Sequence, residues 1–231
     1  MDVLALIPAR GGSRGMPGKN LALLAGRPLL AYTCDAVRTS ARVTRGAVST
    51  DSEEIAAAAR ALGVDAPFLR PADLAADDTT MLDVVRHALD ELGDPDAVVL
   101  LQPTSPLRRS VHVDEAIELW AETGADSVVS VVPVPHAFSP PSLLRLVAGR
   151  LVPYEGGQQP TRRQDKPAVY ARNGPAVLVT RPAAVRAGSL YGDDVRPYVM
   201  APEDSIDIDD RFDLELAEFL LVRRGHTRVP C

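Results

Sequence analysis

The sequence predicts an α/β fold in which a mostly parallel sheet lies between two layers of helices. Short apolar runs rich in Val, Leu and Ile alternate with segments whose apolar residues recur at helical spacing. The runs are almost continuously hydrophobic, which is typical of strands that are covered on both faces. A repeated strand–helix order of this kind indicates parallel strands joined by crossover helices. The predicted strands are 3–9, 46–50, 96–102 and 126–132.

Four helices are predicted between and beyond these strands, at 28–40, 51–63, 80–93 and 112–124. Two of them end at Gly63 and Gly93, and glycine commonly closes a helix because it tolerates the left-handed conformation. Thr50 and Glu53 have the spacing of a capping box at the start of the second helix. In this fold class ligands bind at the carboxyl ends of the strands, so we expect site residues directly after them.

Length and charge restrict the class of protein. A chain of 231 residues fits one domain, spanning 1–231. The net charge of −6 argues against a general affinity for nucleic acid or anionic membranes. No targeting segment or membrane-spanning run is apparent, so we expect a cytoplasmic protein. Cys34 and Cys231 form neither a disulfide framework nor a metal-ligand pattern.

The pattern changes at residues 133–167, a segment rich in Pro, Gly and Arg with few long apolar runs. Within it, the apolar residues around Ala148 and Gly149 are consistent with a β-hairpin. Long insertions inside a compact domain are usually functional lids or arms that pack on a partner subunit. We therefore expect an arm or lid here.

A glycine-rich loop, IPARGGSRGMPGKN at 7–20, follows the first predicted strand. Such a turn lets backbone N–H groups face a phosphate, and Lys or Arg adds positive charge. The P-loop pattern fails because Asn20 follows Gly18-Lys19 and Ser13 stands in place of the first glycine, and dinucleotide-loop spacing fails too. Two interpretations remain at this point: a nucleoside triphosphate cradle of another kind, or an ordinary turn with surface arginines.

Two acidic residues near the carboxyl end of the chain, Asp207 and Asp209, are separated by one isoleucine. In an extended strand this spacing places both carboxylates on one face and the isoleucines on the other. Paired carboxylates suit Mg²⁺, which is typically held by one or two carboxylates together with substrate phosphates. The alternative is an acidic turn that caps the next helix through Asp210 or Asp213.

Five blocks of the sequence resemble, in order and spacing, the acylneuraminate cytidylyltransferases, which make CMP-sialic acid. They are IPARGGSRGMPGKN (7–20), STDS (49–52), LQPTSPLR (101–108), RRQDKPAVYARNG (162–174) and DSIDIDD (204–210). The resemblance runs from about residue 3 to residue 218, nearly the whole chain. Enzymes that activate the sugar Kdo share the fold and the opening loop, but the last two blocks resemble the acylneuraminate branch.

This resemblance implies a Rossmann-like, three-layer nucleotidyltransferase that uses CTP and a divalent ion, Mg²⁺ or Mn²⁺. The implied reaction couples CMP to a small acidic acceptor and releases pyrophosphate. It needs no covalent nucleophile, because nucleotidyl transfer depends mainly on positioning and on neutralising charge. The resemblance also implies a homodimer in which the inserted arm, about 133–167, completes the site of the neighbouring subunit.

The same resemblance assigns roles to individual residues. Arg10 and Lys19 would neutralise the charge that develops during the reaction. The nucleotide would be bound by Ala9, Arg10, Gly11, Gly12, Lys19, Asn20, Thr80 and Gln102, with the Thr80 hydroxyl in place of a family serine near the cytosine. The acceptor would be bound by Gln102, Arg162, Arg163, Lys166, Asn173 and Tyr191, with Arg163 reaching the partner's site. The metal would be bound by Asp207 and Asp209.

The acceptor region is where the sequence departs from the family pattern. The family commonly has an aromatic residue shortly after its Asn-Gly pair, whereas this chain has Pro175, Ala176 and Val177. A nonulosonic acid, either sialic acid or a relative such as legionaminic or pseudaminic acid, is favoured from the family. A small phosphonate such as phosphonoformate or aminoethylphosphonate, or an unrelated sugar acid, is the alternative. The cations at 162, 163 and 166 suit a compact anion.

The remaining alternative is a nucleotide-binding regulator without catalytic activity. Loss of Lys19 or of either aspartate would support it, but Lys19, Asp207 and Asp209 are all present. Clustered charged groups persist mainly where they serve a site, so an active enzyme is the preferred interpretation.

Overall fold

The computed structural model describes residues 1–12, 16–154, 162 and 167–225 of the chain. The α-helices within these residues are α1 (Leu29–Thr39), α2 (Glu53–Ala61), α3 (Met81–Leu92), α4 (Ser110–Thr123), α5 (Pro182–Ala187) and α6 (Arg211–Arg223). The strands are β1 (Val3–Pro8), β2 (Leu23–Leu24), β3 (Arg27–Pro28), β4 (Arg45–Ser49), β5 (Ala97–Leu100), β6 (Ser127–Pro133), β7 (Leu144–Val147), β8 (Arg150–Pro153), β9 (Tyr170–Arg172), β10 (Leu178–Thr180) and β11 (Val195–Val199). The four predicted strands and four predicted helices are confirmed.

A seven-stranded sheet forms the centre of the molecule, in the order β11-β6-β10-β5-β1-β4, with β9 also paired to β6. Strand β1 is parallel to both β4 and β5, and β11 is parallel to β6. Strands β9 and β10 run in the opposite direction, since both are antiparallel to β6. The sheet is therefore mostly parallel, as predicted, with an antiparallel insertion between β5 and β6.

Helices cover both faces of this sheet, which gives the predicted three layers. Alternate residues of β1 point to opposite sides: Ala5 and Ile7 pack with α1, α2 and α4, whereas Leu6 packs with α3 and α5. A third cluster joins α1 and α6 through Leu107 and Ile208. Among the described residues, no helix combines the length and the apolar character needed to cross a bilayer.

The predicted signals at the C-terminal ends of α2 and α3 agree with the structure, whereas the predicted signal at the N-terminal end of α2 does not. Gly93 caps α3 with a φ of 75°, and Gly63 follows the end of α2 with a φ of 81°. The capping box predicted at Thr50 is wrong, because Ser52 is the N-cap of α2 and its Oγ accepts a hydrogen bond from Ile55 N–H. Thr50 instead directly follows β4, and its Oγ1 accepts from Ser52 N–H.

The acidic segment before α6 does not form the extended strand predicted for Asp207 and Asp209. Residues 205–208 are irregular, and Ile208 N–H donates to the Thr104 carbonyl at 2.8 Å. The strand prediction was wrong because the short link from the turn at Pro202–Asp204 to α6 runs beside no named strand. The capping role considered for Asp210 is confirmed, since its carboxylate accepts from two N–H groups of the first turn of α6.

The predicted hairpin is present and stands apart from the central sheet. In the described part of the chain, β7 and β8 pair with each other as a separate two-stranded sheet. Ala148 and Gly149 form its turn with φ values of 47° and 77°, the left-handed conformations that a tight hairpin turn needs. Leu146 and Leu151 are 73% and 67% exposed, so the hairpin presents apolar side chains to solvent.

Candidate active site

A cleft of about 290 Å³ opens at the carboxyl ends of β1 and β5. Its walls include Arg10, Gly12, Lys19, Asn20 and Gln102, all of which the sequence interpretation assigned to the nucleotide. The first loop and the loop after β5 meet here because their strands are neighbours in the sheet. This is the position at which α/β folds bind their ligands.

Arg10 connects the first loop to the segment that precedes α3. Its Nη1 lies 2.8 Å from Asp77 Oδ1 and donates to the carbonyls of Ala75 and Ala76 at 3.3 Å. About a third of the side chain is exposed, so the guanidinium can be approached from the cleft. An incoming phosphate would compete with the Asp77 carboxylate for this cation.

Lys19 connects the first loop to the acidic segment. Its Nζ donates to the Ile208 carbonyl at 2.8 Å and lies 3.6 Å from Asp209 Oδ1. The 3₁₀ turn at Lys19–Leu21 begins after Gly18, whose φ of 66° is left-handed. The next residue, Asn20, is buried, and its Nδ2 donates to the Arg10 carbonyl at 3.0 Å. The two predicted catalytic cations thus come from one loop, and backbone carbonyls of two other segments hold them.

The other residues assigned to the first loop differ in their access to the cleft. Ala9 is buried and its N–H donates to the Ser49 carbonyl at 2.9 Å. Gly11 N–H donates to Asp51 Oδ1 at 2.8 Å, and a Cβ at Gly11 would lie 3.2 Å from the Cβ of Ser52. Gly12 lines the cleft. Of these residues, Gly12 therefore has the most direct access to a bound phosphate.

Thr80 is the N-cap of α3. Its hydroxyl accepts from Asp83 N–H at 3.2 Å and donates to Asp83 Oδ2 at 2.6 Å. Thr79 and Thr104 are the described threonines that line the cleft, and Thr80 lies beside Thr79 at the start of α3. The assignment of Thr80 to the nucleotide stays a prediction.

Sequence reasoning missed a buried cation in the same cleft. Arg70 is 5% exposed, lines the cleft and lies 3.9 Å from Asp51 Oδ1. Its Nε has no hydrogen-bond partner among the described residues, and burial lowers the pKa of its guanidinium. Two isolated β-bridges, Ala47 with Asp65 and Thr50 with Leu69, bring this segment alongside β4. No local pattern in the sequence predicts that pairing.

The two aspartates assigned to a metal have contrasting environments. Asp207 is partly buried, and its Oδ1 has no hydrogen-bond partner among the described residues. Burial raises the pKa of Asp207 and the nearby Asp209 adds to this, while the Thr104 hydroxyl and Lys19 oppose it. Asp209 has an 83% exposed side chain. No third acidic, histidine or cysteine ligand joins them within the described ranges.

The residues assigned to the acceptor lie on several elements: the Tyr191 carbonyl accepts from Ser127 at the start of β6, whereas Asn173 directly follows β9. Asn173 is buried; its Oδ1 accepts from the Ser130 hydroxyl at 2.6 Å and its Nδ2 donates to Ser205 Oγ at 2.9 Å. Tyr191 is partly buried, and its hydroxyl accepts from Arg172 Nη1 at 2.7 Å. Arg162 is exposed. Arg163 and Lys166, also assigned to the acceptor, lie outside the described residues.

Arg108, the last residue of the LQPTSPLR block, is a second residue to which the sequence interpretation assigned no role. Its guanidinium is buried and donates to the carbonyls of Gln102 and Ala176 and to the Thr33 hydroxyl. Burial lowers the pKa of this guanidinium to about 9. The contacts join the loop after β5 to the start of β10 and to α1. From its buried position, Arg108 therefore holds the backbone of the Gln102 loop in place.

Comparison with known proteins identifies the family. The family model described as Cytidylyltransferase matches residues 4–198. The N-acylneuraminate cytidylyltransferase of Escherichia coli O18:K1:H7 (strain RS218 / NMEC) is 32% identical, covering 98% of this chain and 54% of the relative. The CMP-N,N'-diacetyllegionaminic acid synthase of Legionella pneumophila is 37% identical, covering 96% of this chain and 97% of the relative. The chain thus spans about half the length of the first relative and nearly all of the second.

A solved structure of CMP:2-keto-3-deoxy-manno-octonic acid synthetase complexed with CTP has a similar fold. The TM-score is 0.75 over 97% of this chain and 100% of that chain, at 17% identity. At this low identity the similarity shows a shared fold and carries no conclusion about the reaction. With the sequence matches, the conclusion is that the chain belongs to the cytidylyltransferase family of nucleotidyltransferase enzymes.

Proposed function

We propose that this protein transfers CMP from CTP to a nonulosonic acid and releases pyrophosphate. The observation that carries the proposal is the convergence of Arg10, Lys19 and Arg70 with the Asp207–Asp209 pair at one edge of the sheet. Cations beside a carboxylate pair suit a metal-bound triphosphate better than any neutral ligand. The relative that matches over nearly its whole length, from Legionella pneumophila, is named for a nonulosonic acid, which supports this acceptor class.

The cleft offers cationic side chains for both the phosphates and the base of the nucleotide. Arg10 and Lys19 would neutralise charge on the phosphates and on departing pyrophosphate. Arg70, buried and with a free Nε in the described structure, would contact the base. Cytosine presents two adjacent acceptors, N3 and O2, whereas uracil presents a donor at N3. Guanidinium donors therefore favour CTP over UTP.

The aspartate pair fits a divalent cation, Mg²⁺ or Mn²⁺. The buried Oδ1 of Asp207 has no hydrogen-bond partner among the described residues. Asp209, two positions later and beyond buried Ile208, is exposed. When bound, the ion would polarise the α-phosphate and lower the pKa of the attacking hydroxyl. Lys19, 3.6 Å from Asp209, would hold that carboxylate in place.

A homodimer is part of the proposal. The β7–β8 hairpin exposes Leu144, Leu146, Leu151 and Tyr154, each more than half exposed. Exposed apolar groups of this kind mark interaction surfaces. We propose that the insertion at 133–167 packs on a second copy of the chain, as the family resemblance implies. Arg163 would then serve the acceptor site of the partner.

The single domain at 1–231 and the cytoplasmic location also stay predictions.

Pyrophosphate release tests the proposed reaction. Purified protein with CTP and Mg²⁺ should release pyrophosphate with N-acetylneuraminate, N,N'-diacetyllegionaminate or pseudaminate, and much less with Kdo. UTP in place of CTP is the matched control for the base. Turnover with phosphonoformate or aminoethylphosphonate alone would overturn the acceptor class and leave cytidylyl transfer intact. Thermal stabilisation by CTP without turnover on any acid would identify an inactive nucleotide-binding protein instead.

A further inference from the structure

An exposed arginine beside the acceptor residues has no carboxylate partner in the described structure. Arg172, the last residue of β9, donates from Nη1 to the Tyr191 hydroxyl at 2.7 Å. The centre of the same guanidinium lies 5.3 Å from the centre of the Tyr191 ring. Within the described residues Arg172 has no further hydrogen bond or ion pair. A phenol thus orients this cation without neutralising its charge.

Strand pairing places Arg172 on the same face of the sheet as the cleft. Arg172 is directly opposite Val131 in the antiparallel pair of β9 and β6, and directly opposed residues point to the same face. Val131 belongs to the core cluster packed by α3, and Tyr191 packs against that cluster as well. Two residues of α3, Met81 and Val84, also line the cleft. The arginine and the cleft therefore lie on one side of the sheet.

The strand registers also place Arg172 level with the end of the cleft. Leu178 of β10 lies between Leu100 of β5 and Val129 of β6. Arg172 opposes β6 two residues farther toward the carboxyl end, and Gln102 is likewise two residues beyond Leu100. The registers therefore place Arg172 and the end of β5, after which Gln102 follows, at the same edge of the sheet. A sugar acid bound at this edge could contact both residues.

The chain that follows Arg172 is held against the carboxylate pair. A Cβ placed on Gly174 would lie 3.1 Å from Ser105 Oγ and 3.6 Å from the Asp207 carboxyl carbon. Asn173 between them is buried and anchored by Ser130 and Ser205. This anchoring fixes the end of β9 relative to the proposed reaction centre.

We propose that Arg172, oriented by Tyr191, binds an anionic group of the acceptor and helps to select acids over neutral sugars. A guanidinium matches a carboxylate or phosphonate with two parallel N–H donors. Tyr191 acts as a positioning residue that limits the rotamers of Arg172. Arg172 belongs to the same subunit as the nucleotide cleft. It would act together with the cations that the partner's arm is expected to supply. This inference rests on the proposed cytidylyl transfer and concerns its acceptor.

Kinetics with separate saturation of the two substrates test this inference. Arg172→Gln should raise the KM for N-acetylneuraminate or N,N'-diacetyllegionaminate about tenfold or more, because a charge-assisted hydrogen bond is lost. The KM for CTP should change less than about twofold, since the nucleotide residues are untouched. Tyr191→Phe should have a smaller effect in the same direction. Arg172→Lys should recover part of the loss, and Arg223→Gln, an exposed arginine on α6, is the matched control.

The outcomes separate this inference from the proposed function. If the wild-type protein turns over and Arg172→Gln keeps the acceptor KM within twofold, Arg172 has no role in acceptor binding. Equal increases in the KM values for CTP and for the acceptor would indicate a general structural effect and would also overturn the assignment. If the Arg172→Gln variant does not fold, the Arg172→Lys variant provides the same test. If the wild-type protein releases no pyrophosphate with any acid, the proposed function fails and the Arg172 assignment fails with it. Comparison of carboxylate with phosphonate acceptors shows which anion Arg172 serves.

Discussion

The proposed nucleotide cleft and the proposed acceptor surface are built in different ways. In the cleft, charged side chains are tied to backbone groups of the same chain: Lys19 to the Ile208 carbonyl, and Arg10 to Ala75 and Ala76. On the acceptor side, the β7–β8 hairpin and the end of β9 present apolar and cationic groups to solvent. We therefore expect one chain to assemble the nucleotide half by itself. We expect the acceptor half to depend also on surfaces that this chain leaves open.

This difference has an energetic basis. Ile208 is fully buried in the cluster that joins α1 and α6, so the segment that carries the two aspartates is anchored in the hydrophobic core. Leu146 and Leu151 remain mostly exposed. Burying one such side chain contributes roughly 1.5–3 kcal/mol, which favours association with another surface. The comparison therefore predicts that cleft variants lose chemistry, whereas arm variants lose assembly.

The largest expected effect is on Lys19. Lys19→Ala should lower kcat/KM by about 10²–10³-fold, since it removes a cation beside the phosphates and frees the Asp209 carboxylate. Pyrophosphate release under saturating acceptor measures the loss. Lys19→Arg, which keeps the charge, should lose less. A rate near that of the wild type for the alanine variant would remove the first loop from the chemistry.

Asp207→Asn should have the next largest effect, about a 10²-fold loss of turnover that excess Mg²⁺ relieves only in part. The reason is the loss of a buried carboxylate oxygen that has no hydrogen-bond partner in the described structure. A titration of activity against Mg²⁺ measures it. Asp65→Asn, at an exposed aspartate beside Arg60, is the control. An unchanged Mg²⁺ dependence would contradict the metal assignment.

The arm variants test the other half of the comparison. Replacing both Leu146 and Leu151 by Glu should convert a dimer to a monomer in analytical ultracentrifugation, because two charges cannot be buried in an apolar contact. The acceptor KM should rise about tenfold while CTP still stabilises the protein against heat. Leu23→Glu, at another exposed leucine outside the arm, should leave the dimer intact. A dimer that survives the double change would show that the subunits associate elsewhere.

The smallest expected effect is in the hairpin turn. Ala148 has a φ of 47°, which asparagine tolerates better than alanine. Ala148→Asn should stabilise the hairpin by about 0.5 kcal/mol, measured as slower amide hydrogen exchange over 144–153. Gly149→Ala should destabilise it by about 1 kcal/mol, since its φ is 77°. Faster exchange in the asparagine variant would contradict the turn assignment. Neither change should alter kcat.

Several site residues were predictable because their signals are local. The first loop follows a strand and combines glycine with Arg10 and Lys19, so its place at the carboxyl edge followed from the pattern alone. The aspartate pair was also recognised, although its backbone is irregular where a strand was expected. Arg70, which lines the cleft, was missed because its segment is brought there by pairing with β4, which is distant along the chain.

The sequence by itself determined the order of strands and helices, the position of the hairpin and the chemical character of the cleft. These features depend on hydrophobic periodicity and turn residues, which act over a few positions. The tertiary structure decided which side chains meet. Lys19 contacts the carbonyl of a residue 189 positions away, and Arg108 joins three separate elements. Such contacts follow from how the strands are arranged in the sheet, and no local pattern encodes that arrangement.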